Sequence, residues 1–107
     1  MIETRLDPEK NFTFNILSNN GQTLLKSIPF SERPSLEAIS AQLKELATQP
    51  SSFERTTDYN GKFLFLLKDG LGKTIGYSMY YSSEAGMENG IENLKIAISH
   101  LPDDGYL

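Results

Sequence analysis

Residues 1–47, moved forward by 51 positions, fall onto a second version of their own pattern without a gap. Phe12 and Phe14 land on Phe63 and Phe65, Gly21 and Thr23 on Gly72 and Thr74, and Ser27 on Ser78. Ser31 lands on Ser82, Glu37 on Glu88, and Leu43-Lys44 on Leu94-Lys95. A spacing of this kind constrains the fold before any motif is read, because one supersecondary unit is used twice. Each half, at about 50 residues, is marginal by itself, since short chains bury too little of their surface. The halves, about 1–50 and 51–107, are therefore expected to share one core in a single domain. A hydrophobic content of 38% is too high for a disordered chain.

The alternation Phe12, Phe14, Ile16 against Thr13, Asn15, Leu17 has period two and predicts a strand with two distinct faces. Residues 2–6 read as a short strand before it, with a turn around Asp7-Pro8-Glu9. Asn20-Gly21 is a hairpin signal, because both residues tolerate positive φ. Thr23 to Ile28 reads as the return strand, ended by Pro29, which has no N–H for a ladder. Ser31 to Pro34 opens a helix, with Ser31 or a neighbour as cap and an apolar stripe of Leu36, Ile39, Leu43 and Leu46.

The second half repeats that order. It predicts strands over 53–57, from Phe63 to Leu67 and over 73–80, with turns at 58–61 and 69–72. Ser82 or Ser83 then caps a helix with the stripe Met87, Ile91, Leu94, Ile98 and Leu101. Gly105-Tyr106-Leu107 is a candidate final strand. Three strands with tight turns make a meander, and one helix can cover one face of it. The expected fold class is α+β, with two such units sharing one antiparallel sheet and both helices on one face.

Bulk composition narrows the function classes. The net charge is −4, and the ten basic residues form no run, which disfavours nucleic acid and anionic membrane surfaces. The absence of cysteine removes disulfides, thiolate metal sites and cysteine nucleophiles. His100 is the only histidine, so a nucleophilic triad or an imidazole-rich metal site has little to draw on. No segment has signal-peptide or membrane-span character, and the expected location is cytoplasmic. No cofactor or metal is expected.

From residue 61 the text becomes specific: Gly61-Lys62-Phe63-Leu64-Phe65-Leu66-Leu67-Lys68, then Gly72-Lys73-Thr74-Ile75-Gly76-Tyr77-Ser78, Tyr81-Ser82-Ser83 and Asn89-Gly90-Ile91-Glu92-Asn93-Leu94-Lys95. This resembles the YegP-like family of small bacterial domains of unknown function. The second half matches best. The first has Phe30 where the family prefers Tyr, and Ala38-Ile39-Ser40 where Asn-Gly-Ile is expected. The resemblance implies tandem β3-α-β units in one sheet with exchanged C-terminal strands. The segment from Phe53 to Thr57 would then serve the junction. It implies no activity.

Two surfaces are candidates for function. Phe63, Phe65 and Leu67 face the helices, so Leu64 and Leu66 point the other way, where the first half carries Thr13 and Asn15. Leu64 and Leu66 either pack under the chain's own tail or form an apolar patch for a protein partner or self-association. The favoured reading is a non-enzymatic domain acting through that sheet face or through a strand edge. The alternative is a small-ligand sensor or enzyme with a pocket between the second helix and the sheet, lined by Tyr77, Tyr81, Asn89 and Gly90. Gly90 within a helix costs about 1 kcal/mol against alanine, so something offsets it. That something is a close approach of helix to sheet, with Gly86 and Gly90 one turn apart, or a ligand or partner site.

Overall fold

The computed structural model of the chain describes residues 1–102. Six strands form one antiparallel sheet: β1 (Ile2–Leu6), β2 (Phe12–Leu17), β3 (Thr23–Ser27), β4 (Phe53–Thr57), β5 (Phe63–Lys68) and β6 (Thr74–Tyr77). Their order across the sheet is β1-β2-β3-β6-β5-β4, so β3 and β6 meet at the centre and β1 and β4 are the edges. Between β3 and β4 the chain forms α1 (Arg33–Ser40), α2 (Leu43–Ala47) and a single 3-10 turn at Pro50–Ser52. After β6 comes α3 (Glu84–Ser99). The candidate strand at Gly105–Leu107 lies outside the described residues.

The alternation read from the sequence sets the layers. Phe14, Ile16, Phe65 and Leu67 are fully buried and join one apolar cluster with Leu36 of α1, Leu43 and Leu46 of α2, and Met87, Ile91, Leu94 and Ile98 of α3. Because α2 also packs against α3, the helices form one layer over one face of the sheet.

Both inner strands depart from strict alternation at equivalent points. Ile16 pairs with Leu25 but Leu17 with Thr23, so Leu24 is an extra residue in β3. Leu67 pairs with Gly76 but Lys68 with Thr74, so Ile75 is extra in β6. A bulge re-aims a side chain, and here it lets successive residues join the core. Leu24 and Leu25 are both buried, as are Ile75 and Gly76.

All four two-stranded turns share one construction. Asp7 Oδ1 accepts from the N–H groups of Glu9 and Asn11, Asp58 Oδ1 from Asn60 and Lys62, and Asp69 Oδ1 from Leu71 and Lys73. Ser18 Oγ accepts from the N–H of Gln22 in the fourth. Short side chains that hold their own backbone favour such turns over a continuing strand. The fourth position of each has positive φ, filled by Gly21, Gly61, Gly72 and, against steric preference, Lys10.

The first helix differs from its expected form. The stripe predicts one helix through Leu46, but regular structure stops at Ser40 and resumes at Leu43. The stripe itself survives the break, since Leu36, Leu43 and Leu46 are buried. Ser31 is not the cap. Glu32 holds that position without a side-chain bond, and Pro34 occupies the first turn. In α3 the expected cap is present, as Ser83 Oγ accepts from the N–H of Gly86 at 3.0 Å. Among the described residues no helix is long and apolar enough to cross a membrane.

Two buried serines tie strand to strand. Ser27 Oγ accepts from Phe14 N–H at 2.9 Å and donates to the Ile28 carbonyl at 2.8 Å. Ser78 Oγ does the same for Phe65 N–H and the Met79 carbonyl, at the same distances. Removing either hydroxyl leaves a buried amide without a partner, which costs about 1–3 kcal/mol. Ser27→Ala and Ser78→Ala are each expected to lower stability by about that amount in urea denaturation, with the slope of the transition unchanged.

Candidate functional site

The sheet face away from the helices carries one unbroken row of paired residues. Glu3 pairs with Asn15, Asn15 with Lys26, Lys26 with Tyr77, Tyr77 with Leu66, and Leu66 with Glu54. Directly opposed residues in an antiparallel sheet point to the same side. Phe65 and Leu67 lie in the core, so Leu66 and the whole row point outward. Leu64, opposite Thr56, shares that face.

Leu64 and Leu66 are half-buried rather than open, and Tyr77 is 42% exposed. Their neighbours are charged. Lys68 Nζ lies 3.2 Å from Glu54 Oε1, and Lys26 stands beside Tyr77 in the row. The result is a short apolar strip, fenced by charges, on a face that none of the helices among the described residues crosses. Lys26 and Glu54 were not singled out from the sequence. Only the strand order and register bring them beside Leu66 and Tyr77.

The other candidate residues separate. Tyr77 points away from the helices, while Tyr81 packs on the helix side against the core. Tyr81 continues from β6 through a bridge to Phe63, with N–H to carbonyl bonds of 2.7 and 2.8 Å in both directions. Its ring lies over α3. A Cβ built on Gly90 would sit 2.6 Å from Tyr81 Cζ and closer still to the hydroxyl, and one on Gly86 3.8 Å from Tyr81 Cδ1. Gly90 is thus the bare spot on which the tyrosine rests, and Asn89 beside it is exposed. Burial raises the Tyr81 pKa above the ordinary phenol range, so the ring stays neutral at physiological pH. Tyr81 and Gly90 are brought together, by direct packing on one another.

One ion pair clasps α3 to the edge strand β4. Arg55 meets Glu88 through two bonds, Nε to Oε2 and Nη2 to Oε1, the latter 3.0 Å long. The bond from Arg55 holds the Glu88 carboxyl below the ordinary carboxylate range, and the bond from Glu88 raises Arg55. His100 closes α3 as its C-cap and lines an open cleft of about 410 Å³ with Asn19, Gln22 and Asn93. Among the described residues no three His, Cys, Asp or Glu side chains gather as a metal site. The carboxylates of Asp7, Asp58 and Asp69 are each engaged by turn N–H groups.

Known proteins resemble the chain over most of its length. Residues 58–98 match the family described as a domain of unknown function, DUF1508. A UPF0339 protein encoded in the ptx operon 5′ region of Stutzerimonas stutzeri is 33% identical over 97 residues, covering 91% of this chain and 85% of that protein. The UPF0339 protein YegP of Escherichia coli is 32% identical over 94 residues, covering 88% and 86%. The solution NMR structure of E. coli YegP, a protein of unknown function, superposes with a TM-score of 0.86 at 30% identity, over 92% of this chain and 84% of that one.

Two measurements follow from these contacts. Gly90→Ala is expected to destabilise the protein when Tyr81 is present and to stabilise it by about 1 kcal/mol in a Tyr81→Ala background, where only helix propensity remains. A urea-denaturation cycle over the four variants reads the change of sign. For Glu88, the folded pKa is depressed, so its contribution is present above the unfolded pKa and is lost as pH falls through the folded one. Both side chains are more than a third exposed, which limits the effect to under about 1 kcal/mol. Glu88→Gln is expected to lower stability at pH 7 and to converge on the parent once the pH has fallen below the depressed folded pKa of Glu88.

Proposed function

Starting from the YegP/UPF0339 family (DUF1508), to which this chain belongs and whose function is unknown, we propose a non-enzymatic domain that binds a protein partner or a second copy of itself. The binding surface is the outward sheet face around Leu64, Leu66 and Tyr77. The observation that carries this reading is the strip itself: two half-buried leucines and an exposed tyrosine on a face that, among the described residues, no helix covers. Tyrosine supplies rigid contact area, and the charged fence gives register and excludes wrong partners. The strand edges are less suited. Glu3 and Arg5 on β1, and Glu54 and Arg55 on β4, place charges on both edge strands, which disfavours strand addition.

The same reading treats the chain as one domain made of two tandem copies, about 1–50 and 51–107. Its support is the recurrence of bridges, bulges and serine bonds at a spacing of 51 residues. Exchange of closing strands is part of the proposal only as the family resemblance implies it. Among the described residues β4 alone follows a helix. Its bounds fall 51 residues after those of β1, which favours its being the opening strand of the second copy. The net charge of −4 and the scattered basic residues disfavour nucleic acid and anionic membranes as partners, and the lack of cysteine suits a cytoplasmic protein.

Leu64→Asp with Leu66→Asp is expected to leave a folded protein, because neither residue belongs to the core cluster. Loss of self-association in sedimentation, or of a co-purifying partner, is the expected result. Association unchanged in both assays refutes the reading.

A further inference from the structure

The second half closes the step from sheet to helix with Tyr81 on Gly90, and the first half leaves that step open. Phe30, 51 residues before Tyr81, makes the same bridge, to Phe12, but has no hydroxyl. Ile39 stands where Gly90 would be, so α1 cannot settle onto the ring as α3 does. The helix stops one residue later, at Ser40. Phe30 instead stacks on Phe14, with ring centroids 6.4 Å apart. What remains between α1 and the β5–β6 turn is an open cleft of about 430 Å³. That volume lies in the range of small-molecule sites.

We propose that this cleft binds a small organic acid, a single carboxylate on a compact apolar body. Phe30, Ile39 and Ile75 supply the apolar wall, and Ile75 is fully buried beneath it. Ser31 and Ser35, both exposed, line the helix side with their hydroxyls. Lys73 lines the turn side and makes no salt bridge among the described residues. Asp69 also lines the cleft, but its Oδ1 already accepts two turn N–H groups at 2.9 Å, one of them from Lys73 itself. The Asp69 charge is stabilised within its own turn, leaving Lys73 and the two hydroxyls to meet one carboxylate, whose single charge is repelled less by Asp69 than a dianion's would be. A dianion such as phosphate would face Asp69 with a single lysine to offset it. The half-buried side chains of Phe30 and Ile39 need hydrocarbon to displace their water.

The cleft lies on the helix side of the sheet, so this inference stands or falls apart from the sheet-face reading. The test is an NMR titration of the ¹⁵N-labelled full chain with benzoate, and in parallel with benzamide and inorganic phosphate. Benzoate is expected to give saturable amide shifts at Phe30, Ser35, Ile39 and Lys73 with a dissociation constant of about 1 mM. Lys73→Ala is expected to weaken benzoate about tenfold and leave benzamide unchanged, as a charge-assisted bond requires. Ala38→Leu fills the cleft from the exposed side of α1 and is expected to abolish the benzoate shifts. If that variant fails to fold, Lys73→Ala decides alone. The proposal is overturned by shifts that do not saturate, by benzamide or phosphate binding as tightly as benzoate, or by benzoate binding unaffected by Lys73→Ala.

Discussion

The whole architecture depends on a narrow seam. β3 and β6 are joined by two residue pairs, Lys26 with Tyr77 and Ser27 with Gly76, extended by a bond from Ile28 N–H to the Ile75 carbonyl at 3.0 Å. Everything on either side is a hairpin meander that could not bury its apolar face alone. The seam is possible because position 76 has no side chain. A Cβ there would lie 2.9 Å from the Lys26 carbonyl oxygen and 3.0 Å from Leu25 Cδ2. Leu25, 51 residues before Gly76, fills the space that the glycine leaves. Two leucines here would collide and two glycines would leave a void, so the join is built from one of each.

From that seam the two sides of the sheet acquire different characters. The helix side is continuous, with residues of all three helices and five of the strands in one cluster. The outer side inherits a single row of paired residues, which places Tyr77 beside Leu66 and charges beyond them. The apolar strip is thus a product of the register at the seam. A slip of one residue would send Leu66 inward and Phe65 outward, which the core does not permit.

The sequence carried the strands, turns and helical stripes well, because each rests on a local rule. Phe12, Phe14 and Ile16 alternate, the Asp-led turns hold their own backbone, and Met87 through Leu101 keep one helical face. What it did not carry is equally local in cause. The bulges at Leu24 and Ile75 are invisible in a run of apolar residues, since either partner could be the extra one. The break after Ser40 has no glycine or proline to mark it. The reason for Gly90 lies nine residues away in Tyr81, across a loop. The meeting of Lys26 with Tyr77 depends on strand order, which no local pattern encodes. At the candidate sites, Leu64 and Leu66 were legible from alternation, whereas the fence around them and the cleft beside α1 were not.

If one core spans the seam, both halves must melt as one. Amide NMR signals of the full chain followed through a urea titration test this directly. Signals from residues 12–27 and from residues 63–78 are predicted to vanish with a single shared midpoint, and Gly76→Val is predicted to lower that midpoint equally for both. Separate midpoints for the two halves, or a Gly76→Val effect confined to one of them, would contradict the account.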